Sequence, residues 1–237
     1  MKRVDVFKDG KDLGYINNFR DSKWWFDEHH ADSFELFDLN GFYDATYLKN
    51  DHVGRGGVVN YVKYIKEYYT KLTNKPLTSV LEAGCAGGWF TKEFLDQGID
   101  IIALEGSDSG YNKTLNRGVP QERIIKHDLR KELKLNKKFD VVCCTEVAEH
   151  IETPFSSQLI KTLTDYADIV WFSFEGPDTN LAHYHHCNEQ PEKFWVNIFD
   201  FYNFNSVKLP GEVYHACELR ATHVCYNRNS PLIINKL

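Results

Sequence analysis

Residues 81–90 read LEAGCAGGWF, an apolar run that passes through a turn of glycines and small residues into a second apolar pattern. The run begins with TSV at 78–80, and the pattern that follows, GWFTKEFLDQG at 88–98, has helical spacing and ends in a glycine. The stretch therefore predicts a strand, a glycine turn and a helix. In such a unit the backbone N–H groups of the turn and the helix dipole can face a ligand.

The alternation of strand and helix patterns continues from this turn to residue 228. Further strands are expected at 99–106, 123–129, 138–146, 168–177, 205–211 and 219–228, and further helices at 146–151, 155–167 and 191–204. Uninterrupted apolar strands that alternate with helices predict a mainly parallel sheet covered on both faces. The expected fold class is therefore α/β, a doubly wound sheet of seven strands.

Residues 1–76 differ in residue pattern from the rest of the chain and are expected to form a mainly helical N-terminal extension, which either acts as a lid or only packs on the main domain. VDVFKDGKDLGYI at 4–16 alternates like a small hairpin around an Asp-Gly turn. GGVVNYVKYIKEYYTKL at 56–72 has apolar residues at helical intervals and lysines on its other face. The main domain is placed at 77–228 and a C-terminal tail at 229–237.

Composition limits the classes of function. A chain of 237 residues accommodates one α/β domain with additions, and a net charge of -6 argues against a dedicated nucleic-acid binder. The N-terminus has no apolar stretch and no segment approaches the length of a membrane span, so a cytoplasmic protein without a membrane partner is expected. Six cysteines without a C-x-x-C pair are interpreted as buried, reduced side chains.

The glycine turn does not fit a dinucleotide. The fingerprint G-x-G-x-x-G beginning at Gly84 needs glycines at positions 86 and 89, where the chain has Ala86 and Trp89. A nicotinamide oxidoreductase is therefore excluded. Instead, Glu82, Gly84, Ala86 and Gly88 resemble the E/D-x-G-x-G-x-G motif of class I S-adenosylmethionine-dependent methyltransferases, with Ala86 in place of the middle glycine.

This resemblance extends in order over residues 78–228. It implies a Rossmann-like sheet, S-adenosylmethionine as cofactor and S-adenosylhomocysteine as product. In the family, an acid at the position of Glu105 holds the ribose hydroxyls, an acid at Asp128 meets the adenine amino group, and the position of Thr145 lies beside the sulfonium. The cofactor-binding residues expected on this basis are Glu82, Gly84, Cys85, Ala86, Gly88, Glu105, Gly106, Asp128, Leu129 and Thr145, with Arg55 as a candidate partner for the methionine carboxylate.

The acceptor side is expected in CCTEVAEHIETPF, residues 143–155. On a helix, Glu146, Glu149 and His150 stand at i, i+3 and i+4 and share one face. Two interpretations are open, because acids at a helix N-terminus are also favoured by the dipole alone. Farther along, residues 183–186 include three histidines on a loop that either belongs to the surface or reaches this helix from a neighbouring strand. Two carboxylates and two imidazoles would suit Mg²⁺, Mn²⁺ or Zn²⁺.

The E-x-x-E-H pattern followed by a later histidine pair resembles the small-RNA 3′-terminal 2′-O-methyltransferases, where a metal holds two ribose hydroxyls. Ubiquinone-biosynthesis O-methyltransferases carry the first part. The segment HHCNEQPEKFW also resembles small stand-alone methyltransferases of glycan gene sets, with matches at His186, Asn188 and Gln190. The metal ligands implied are Glu146, Glu149, His150 and His186, and the candidate catalytic bases are His183, His185 and His150.

These features predict an S-adenosylmethionine-dependent O-methyltransferase that acts on a hydroxyl of a sugar or glycan, assisted by a divalent metal. Methyl transfer from a sulfonium is an in-line displacement, so such an enzyme mainly positions its acceptor and removes a proton. One alternative is ribose 2′-O-methylation of RNA, which the acidic net charge of -6 disfavours. Another, from a different class, is an inactive cofactor-binding module that works as an interaction protein.

Overall fold

The computed structural model describes residues 4–8, 11–16, 55–177, 186–210 and 221–236. The candidate bases His183 and His185 lie outside these ranges, as does the side chain of Arg55. Near the N-terminus, β1 (Val4–Lys8) pairs antiparallel with β2 (Lys11–Ile16). The hairpin predicted around the Asp-Gly turn is therefore confirmed.

The main sheet contains seven strands within the described ranges. They are β3 (Ser79–Ala83), β4 (Asp100–Glu105), β5 (Ile124–Lys126), β6 (Val141–Thr145), β7 (Ile169–Phe174), β8 (Phe204–Lys208) and β9 (Ala221–Asn227). The order across the sheet is β5-β4-β3-β6-β7-β9-β8, with β9 antiparallel to both of its neighbours and the other pairs parallel. The predicted doubly wound α/β fold is confirmed. Its strand order reverses between β3 and β6, where open α/β sheets bind ligands.

Helices cover both faces of the sheet. They are α1 (Arg55–Thr73), α2 (Trp89–Asp96), α3 (Asp108–Asn116), α4 (Ser156–Tyr166) and α5 (Glu192–Phe201). The apolar face of α1 and Phe94 of α2 pack in one core layer, and α4 and α5 pack in the other. No helix in the described part of the chain is both long enough and apolar enough to cross a membrane.

Helix α1 packs against one face of the main sheet and shares a hydrophobic core with it. Tyr61, Ile65 and Leu72 are at most 1% exposed and pack with strand residues such as Val80 and Trp171. The C-terminal residues dock at the end of this helix, where the backbone N–H groups of Ile234 and Asn235 both donate to the carbonyl of Leu72. The division into residues 1–76, 77–228 and 229–237 stays a prediction.

The adjacent cysteines of β6 show how the two core layers form. Side chains alternate along a strand, so Cys143 faces the α1 layer and Cys144 faces the α4–α5 layer. Both thiols are free and buried, as are Cys85 and Cys225. The interpretation of these cysteines as buried, reduced side chains is therefore confirmed for these four.

The prediction of a helix over 146–151 is wrong. The backbone turns through the left-handed region at Glu146, with φ 51°, and only Ala148–His150 form a short 3₁₀ turn. A second 3₁₀ turn, Thr153–Phe155, then leads into α4. Glu146 is therefore not on a common helical face with Glu149 and His150. The cause is tertiary, since the N–H of Glu146 donates to the carbonyl and hydroxyl oxygens of Ser173 at 3.2 Å.

Three other elements also differ from expectation. The strand predicted at 123–129 contains only Ile124–Lys126, and the helix predicted at 191–204 ends at Phe201 because β8 begins at Phe204. Helix α3 was not predicted, because DSGYNKTLN contains a glycine and lacks a regular apolar stripe. Its available signal was the capping serine before it, since the hydroxyl of Ser107 accepts from the N–H of Gly110 at 3.0 Å.

The turn between β3 and α2 is left-handed at three positions. Gly84 has φ 79°, Ala86 has φ 47° and Gly88 has φ 73°. A Cβ on Gly84 would lie 2.6 Å from a methyl group of Val147, so this position requires glycine for space as well as for conformation. Ala86 has a Cβ in the same left-handed region and therefore carries backbone strain.

Replacing Ala86 by glycine should raise the free energy of unfolding by about 1 kcal/mol, because glycine adopts a positive φ without a Cβ clash. Chemical denaturation without ligand measures the change. The matched control is Gly98→Ala, which introduces an alanine at φ 74° where no described atom lies within 4 Å of the new Cβ. That control should lose about 1 kcal/mol. A destabilised Ala86→Gly variant beside a destabilised control would show that the turn at Ala86 is not strained.

Candidate active site

A cavity of about 140 Å³ that opens to solvent lies at the carboxyl edge of the sheet. Its walls come from the segments that follow β3, β4, β5 and β6. The predicted cofactor residues among its lining are Gly84, Ala86, Glu105, Gly106, Asp128, Leu129 and Thr145, and the predicted acceptor-side residues are Glu146 and His150. The structure thus gathers nine predicted residues around one cavity.

Three predicted cofactor residues do not line this cavity. The carboxylate of Glu82 is buried and accepts a hydrogen bond from the hydroxyl of Thr91 at 2.5 Å. The thiol of Cys85 is 3.5 Å from the hydroxyl of Thr114, and a Cβ on Gly88 would meet that same threonine at 2.6 Å. These three residues support the glycine turn from the side that does not line the cavity. Arg55 begins α1, but its side chain lies outside the described residues.

The carboxylate of Glu105 joins two turns of the cavity. One oxygen accepts the backbone N–H of Ala86 at 2.8 Å, and the other accepts the N–H and the hydroxyl of Ser107 at 2.8 and 2.7 Å. Burial raises the pKa of Glu105, and the hydrogen bonds from Ser107 and Ala86 counteract that rise. The residue expected to hold ribose hydroxyls is therefore fixed before any ligand binds.

Asp128 is held by a buried ion pair. Both of its carboxylate oxygens accept hydrogen bonds from the Arg130 guanidinium, at 2.9 and 3.0 Å, and Arg130 also donates to Glu152 at 2.8 Å. Burial alone would raise the pKa of Asp128, but the bonds and charge of Arg130 outweigh it and lower that pKa below its usual value. Asp128 is therefore a carboxylate at neutral pH.

Thr145 connects the cavity to the core. The hydroxyl of Thr145, at the end of β6, is 3.0 Å from the phenol oxygen of Tyr61 on α1. Burial raises the pKa of that phenol far above its usual range, so it stays neutral. The N-terminal helix therefore reaches the point where the sequence places the reacting sulfonium.

Three predicted metal ligands come together beside the cavity. One donor atom from each of Glu149, His150 and His186 lies within 4.8 Å of the others. The rings of His150 and His186 are 4.6 Å apart and nearly perpendicular. Burial, followed by the charges of Glu146 and Glu175, raises the pKa of Glu149 well above its usual range. The carboxylate of Glu146 is not part of this group of three.

The segment around His186 is tied to the turn that contains Glu149. The backbone N–H groups of Cys187 and Asn188 both donate to the carbonyl of Glu149 at 2.9 Å. Beneath them, the side chain of Asn188 is 1% exposed, accepts from the hydroxyl of Thr153 and donates to the hydroxyl of Ser156. Asn188 therefore serves to fix the position of the segment, two residues from His186.

Several residues of this region were not predicted from the sequence. Ser107 and His127 line the cavity, Arg130 holds Asp128, and Tyr61 contacts Thr145. Burial lowers the pKa of His127, so its imidazole is neutral at neutral pH. Only position could have indicated Ser107 and His127 from the sequence, because each lies at or next to the end of a predicted strand.

Comparisons with known proteins agree with this architecture. A family profile described as a methyltransferase domain matches residues 60–183. The chain therefore belongs to the methyltransferase-domain family, and its sheet has the Rossmann-like fold of the class I S-adenosylmethionine-dependent methyltransferases. A ubiquinone biosynthesis O-methyltransferase from Rickettsia bellii is 30% identical over 112 residues, which are 44% of this chain and 45% of the relative. The match thus spans about half the length of that curated relative.

Solved structures share the fold. The sugar N-methyltransferase KedS8 from Streptoalloteichus superposes with a TM-score of 0.64 at 12% identity, covering 83% of this chain and 97% of that protein. CalS10, an amino pentose methyltransferase from Micromonospora echinaspora solved with S-adenosylmethionine bound, gives a TM-score of 0.61 at 11% identity, with 82% and 100% covered. At these identities the likeness shows the fold alone.

The buried carboxyl of Glu82 predicts a specific pH dependence. Burial raises its pKa to about 7, despite the hydrogen bond from Thr91, while the unfolded value is 4.5. A carboxyl with a raised folded pKa contributes stability at low pH that is lost as the pH rises through 7. The substitution Glu82→Gln should therefore leave the free energy of unfolding almost unchanged at low pH. Above neutral pH it should raise that free energy by about 3 kcal/mol relative to the wild type.

Denaturation at a series of pH values without cofactor measures this difference. The exposed Glu122 provides the matched control, because Glu122→Gln should give a difference that does not change with pH. If Glu82→Gln changed the free energy of unfolding by the same amount at low pH and above neutral pH, the raised pKa of Glu82 would be contradicted.

Proposed function

We propose that this protein transfers the methyl group of S-adenosylmethionine to a hydroxyl of a sugar or glycan. The observation that carries the proposal is a cavity whose lining brings Glu105 and Asp128 together with Glu146 and His150. The first two residues are the proposed contacts for ribose and adenine, and the last two face the position of the acceptor. Cofactor and acceptor would therefore meet at the carboxyl end of β6.

The cofactor is proposed to bind along the strand ends. Gly84 and Ala86 let the backbone pass close to the methionine part, and Glu105 accepts the ribose hydroxyls. Asp128 accepts the adenine amino group, with Leu129 as an apolar wall beside it. Thr145 lies at the sulfonium. Glu82 is proposed to act on the ammonium group through the turn, since its carboxylate is buried behind it.

The transfer itself is a displacement at carbon. The acceptor oxygen attacks the methyl carbon while the bond to sulfur breaks, and sulfur leaves with that electron pair as a neutral thioether. The hydroxyl proton passes to a base. Two described imidazoles line the cavity, those of His127 and His150. His150, which belongs to the acceptor-side cluster, is proposed to serve as this base when it is not bound to a metal. His183 and His185 are the other proposed bases and lie outside the described residues.

The acceptor-side cluster also fits a divalent cation. Glu149, His150 and His186 offer one carboxylate oxygen and two imidazole nitrogens within 4.8 Å, a mixed set that suits Mg²⁺, Mn²⁺ or Zn²⁺. Glu149 Oε2 is buried and has no hydrogen-bond partner among the described residues, as expected of an oxygen kept for a ligand. When bound, the cation would lower the pKa of the acceptor hydroxyl and orient a vicinal diol. Glu146 is the proposed fourth ligand.

Two other acceptors are candidates. An amino sugar is favoured by the acidic surroundings of Glu149, to which Glu146 and Glu175 contribute charge, and by the names of two structures with this fold. RNA ribose is favoured by the likeness of the cluster to the small-RNA enzymes and opposed by the net charge of -6. A third alternative is an inactive cofactor-binding module, which would not explain why Glu149, His150 and His186 lie together.

Incubation with S-adenosylmethionine and a panel of nucleotide sugars, amino sugars, glycans and short RNAs tests the proposal. Mass spectrometry should find one added methyl group on a hydroxyl of a sugar or glycan. Glu105→Gln should weaken cofactor binding about 10- to 100-fold in calorimetry, because a charged hydrogen-bond acceptor is lost. The exposed Glu132 is the matched control, and Glu132→Gln should bind normally.

The outcomes of this experiment are distinct. Methyl gain on an amino group or on RNA would replace the sugar hydroxyl by one of the two alternatives. Cofactor binding without any methyl gain across the panel would favour the inactive module, and the absence of cofactor binding would reject every methyltransferase version.

Removal of metal tests the cluster separately. Chelation should abolish transfer while calorimetric binding of S-adenosylhomocysteine persists, because Glu149, His150 and His186 lie on the acceptor side. Independently of activity, Mn²⁺ should bind the wild type, and Glu149→Gln or His186→Ala should weaken that binding at least about tenfold. Full activity in chelator together with unchanged Mn²⁺ binding in both variants would remove the metal from the proposal and leave methyl transfer standing.

A further inference from the structure

The guanidinium of Arg130 is buried between two carboxylates. Its side chain is 2% exposed, and the side chains of Asp128 and Glu152 are 14% and 3% exposed. Arg130 Nε donates to Asp128 Oδ1 at 2.9 Å and Nη2 donates to Oδ2 at 3.0 Å, while Nη1 donates to Glu152 Oε1 at 2.8 Å. The guanidinium of Arg130 therefore makes two hydrogen bonds to the Asp128 carboxylate, and its remaining terminal nitrogen is held by Glu152.

These bonds leave Asp128 little freedom. A carboxylate offers about four acceptor positions. Oδ1 accepts both the backbone N–H of Arg130, at 3.0 Å, and its Nε, while Oδ2 accepts Nη2. The exposed ammonium of Lys131 is 3.7 Å from Oδ2, beyond hydrogen-bond distance. Among the described residues, one acceptor position therefore remains, and it is on Oδ2.

We propose that Arg130 is a positioning residue that makes the cofactor site select adenine over a 6-oxopurine. It holds Asp128, which lines the cavity, so that one fixed acceptor position on Oδ2 receives the amino group of the purine. The inference rests on the proposed cofactor binding, in which Asp128 meets adenine.

The chemistry of the two bases explains why orientation matters. Adenine has an N–H donor at its exocyclic amino group, whereas hypoxanthine has a carbonyl oxygen there and carries its nearest donor at ring nitrogen N1. A fixed acceptor repels the carbonyl oxygen and cannot reach the N1–H well. A carboxylate free to rotate can accept from either base, so selectivity depends on the residue that prevents rotation.

Arginine is suited to this task in a way that lysine is not. A lysine at position 130 would keep the positive charge between Asp128 and Glu152, but an ammonium cannot make the planar, two-bond grip. Arg130→Lys should therefore preserve the neutralisation of the buried carboxylates while it releases the orientation of Asp128. This variant separates positioning from charge.

Calorimetry with S-adenosylhomocysteine and S-inosylhomocysteine tests the inference. The wild type should prefer the adenosyl compound by about 10- to 100-fold, the range of a charged hydrogen bond. In Arg130→Lys this preference should fall to about threefold or less, mainly through tighter relative binding of the inosyl compound. Arg123→Lys is the matched control, because Arg123 pairs with Asp100 at the surface, and it should keep the full preference.

Each outcome decides a separate point. An undiminished preference in a folded Arg130→Lys variant overturns the role of Arg130. Equal binding of both compounds by the wild type also overturns it and leaves the proposed cofactor in place, whereas binding of neither compound overturns both proposals. Where circular dichroism shows that Arg130→Lys does not fold, Glu152→Gln loosens the far end of the guanidinium instead. It should lower the preference about threefold, and an unchanged preference overturns the inference.

Discussion

The hydrogen bonds of the Glu105 carboxylate hold together the half of the cavity that is proposed to bind the cofactor. It ties the left-handed turn after β3, through the N–H of Ala86, to the turn after β4, through Ser107. A buried carboxylate is costly unless donors surround it, and these donors lie on two different turns. Neither turn can therefore move without leaving Glu105 unsatisfied, which preserves the spacing between the two cavity walls.

Small residues make this arrangement possible. A Cβ on Gly110 would lie 2.6 Å from the carboxyl carbon of Glu105, so the first turn of α3 must carry a glycine to let the side chain pass. The hydroxyl of Ser107 both donates to Glu105 and caps α3 by accepting from the N–H of Gly110. One serine therefore positions a carboxylate and starts a helix. This coupling explains why a sequence as polar as DSGYNKTLN is helical here.

The parts of the fold that follow from local pattern were predictable, and those that follow from distant contacts were not. Glu105, Asp128 and Thr145 could be found because they lie at or just after apolar strand patterns that match the family in order, and parallel strands place their carboxyl ends at one edge. The helix expected at 146–151 failed because Ser173, on a neighbouring strand, fixes the backbone of Glu146. No spacing rule within the segment contains that contact.

The same distinction applies to the site. Of the four predicted metal ligands, Glu149, His150 and His186 lie together, and Glu146 is not part of their group. The network of Asp128, Arg130 and Glu152 was not foreseen, because its third member joins from a turn 22 positions away in the chain. A buried ion pair has no periodicity, and only the packing of two separate turns reveals it. His183 and His185 stay predictions.

The tether at Asn188 has a consequence for how such a protein can change over evolutionary time. Asn188 fastens its segment to the turn around Glu149 from below, without using any residue that holds the cofactor half. The turn around Glu149 continues to Glu152, which the guanidinium of Arg130 joins to Asp128, so this fastening and the strand-end side of the cavity share one buried network. Acceptor preference is free to drift through the residues above this fastening while the strand-end carboxylates stay constant, and descendants of one ancestor can modify unrelated hydroxyls and amines with one unchanged methyl donor site.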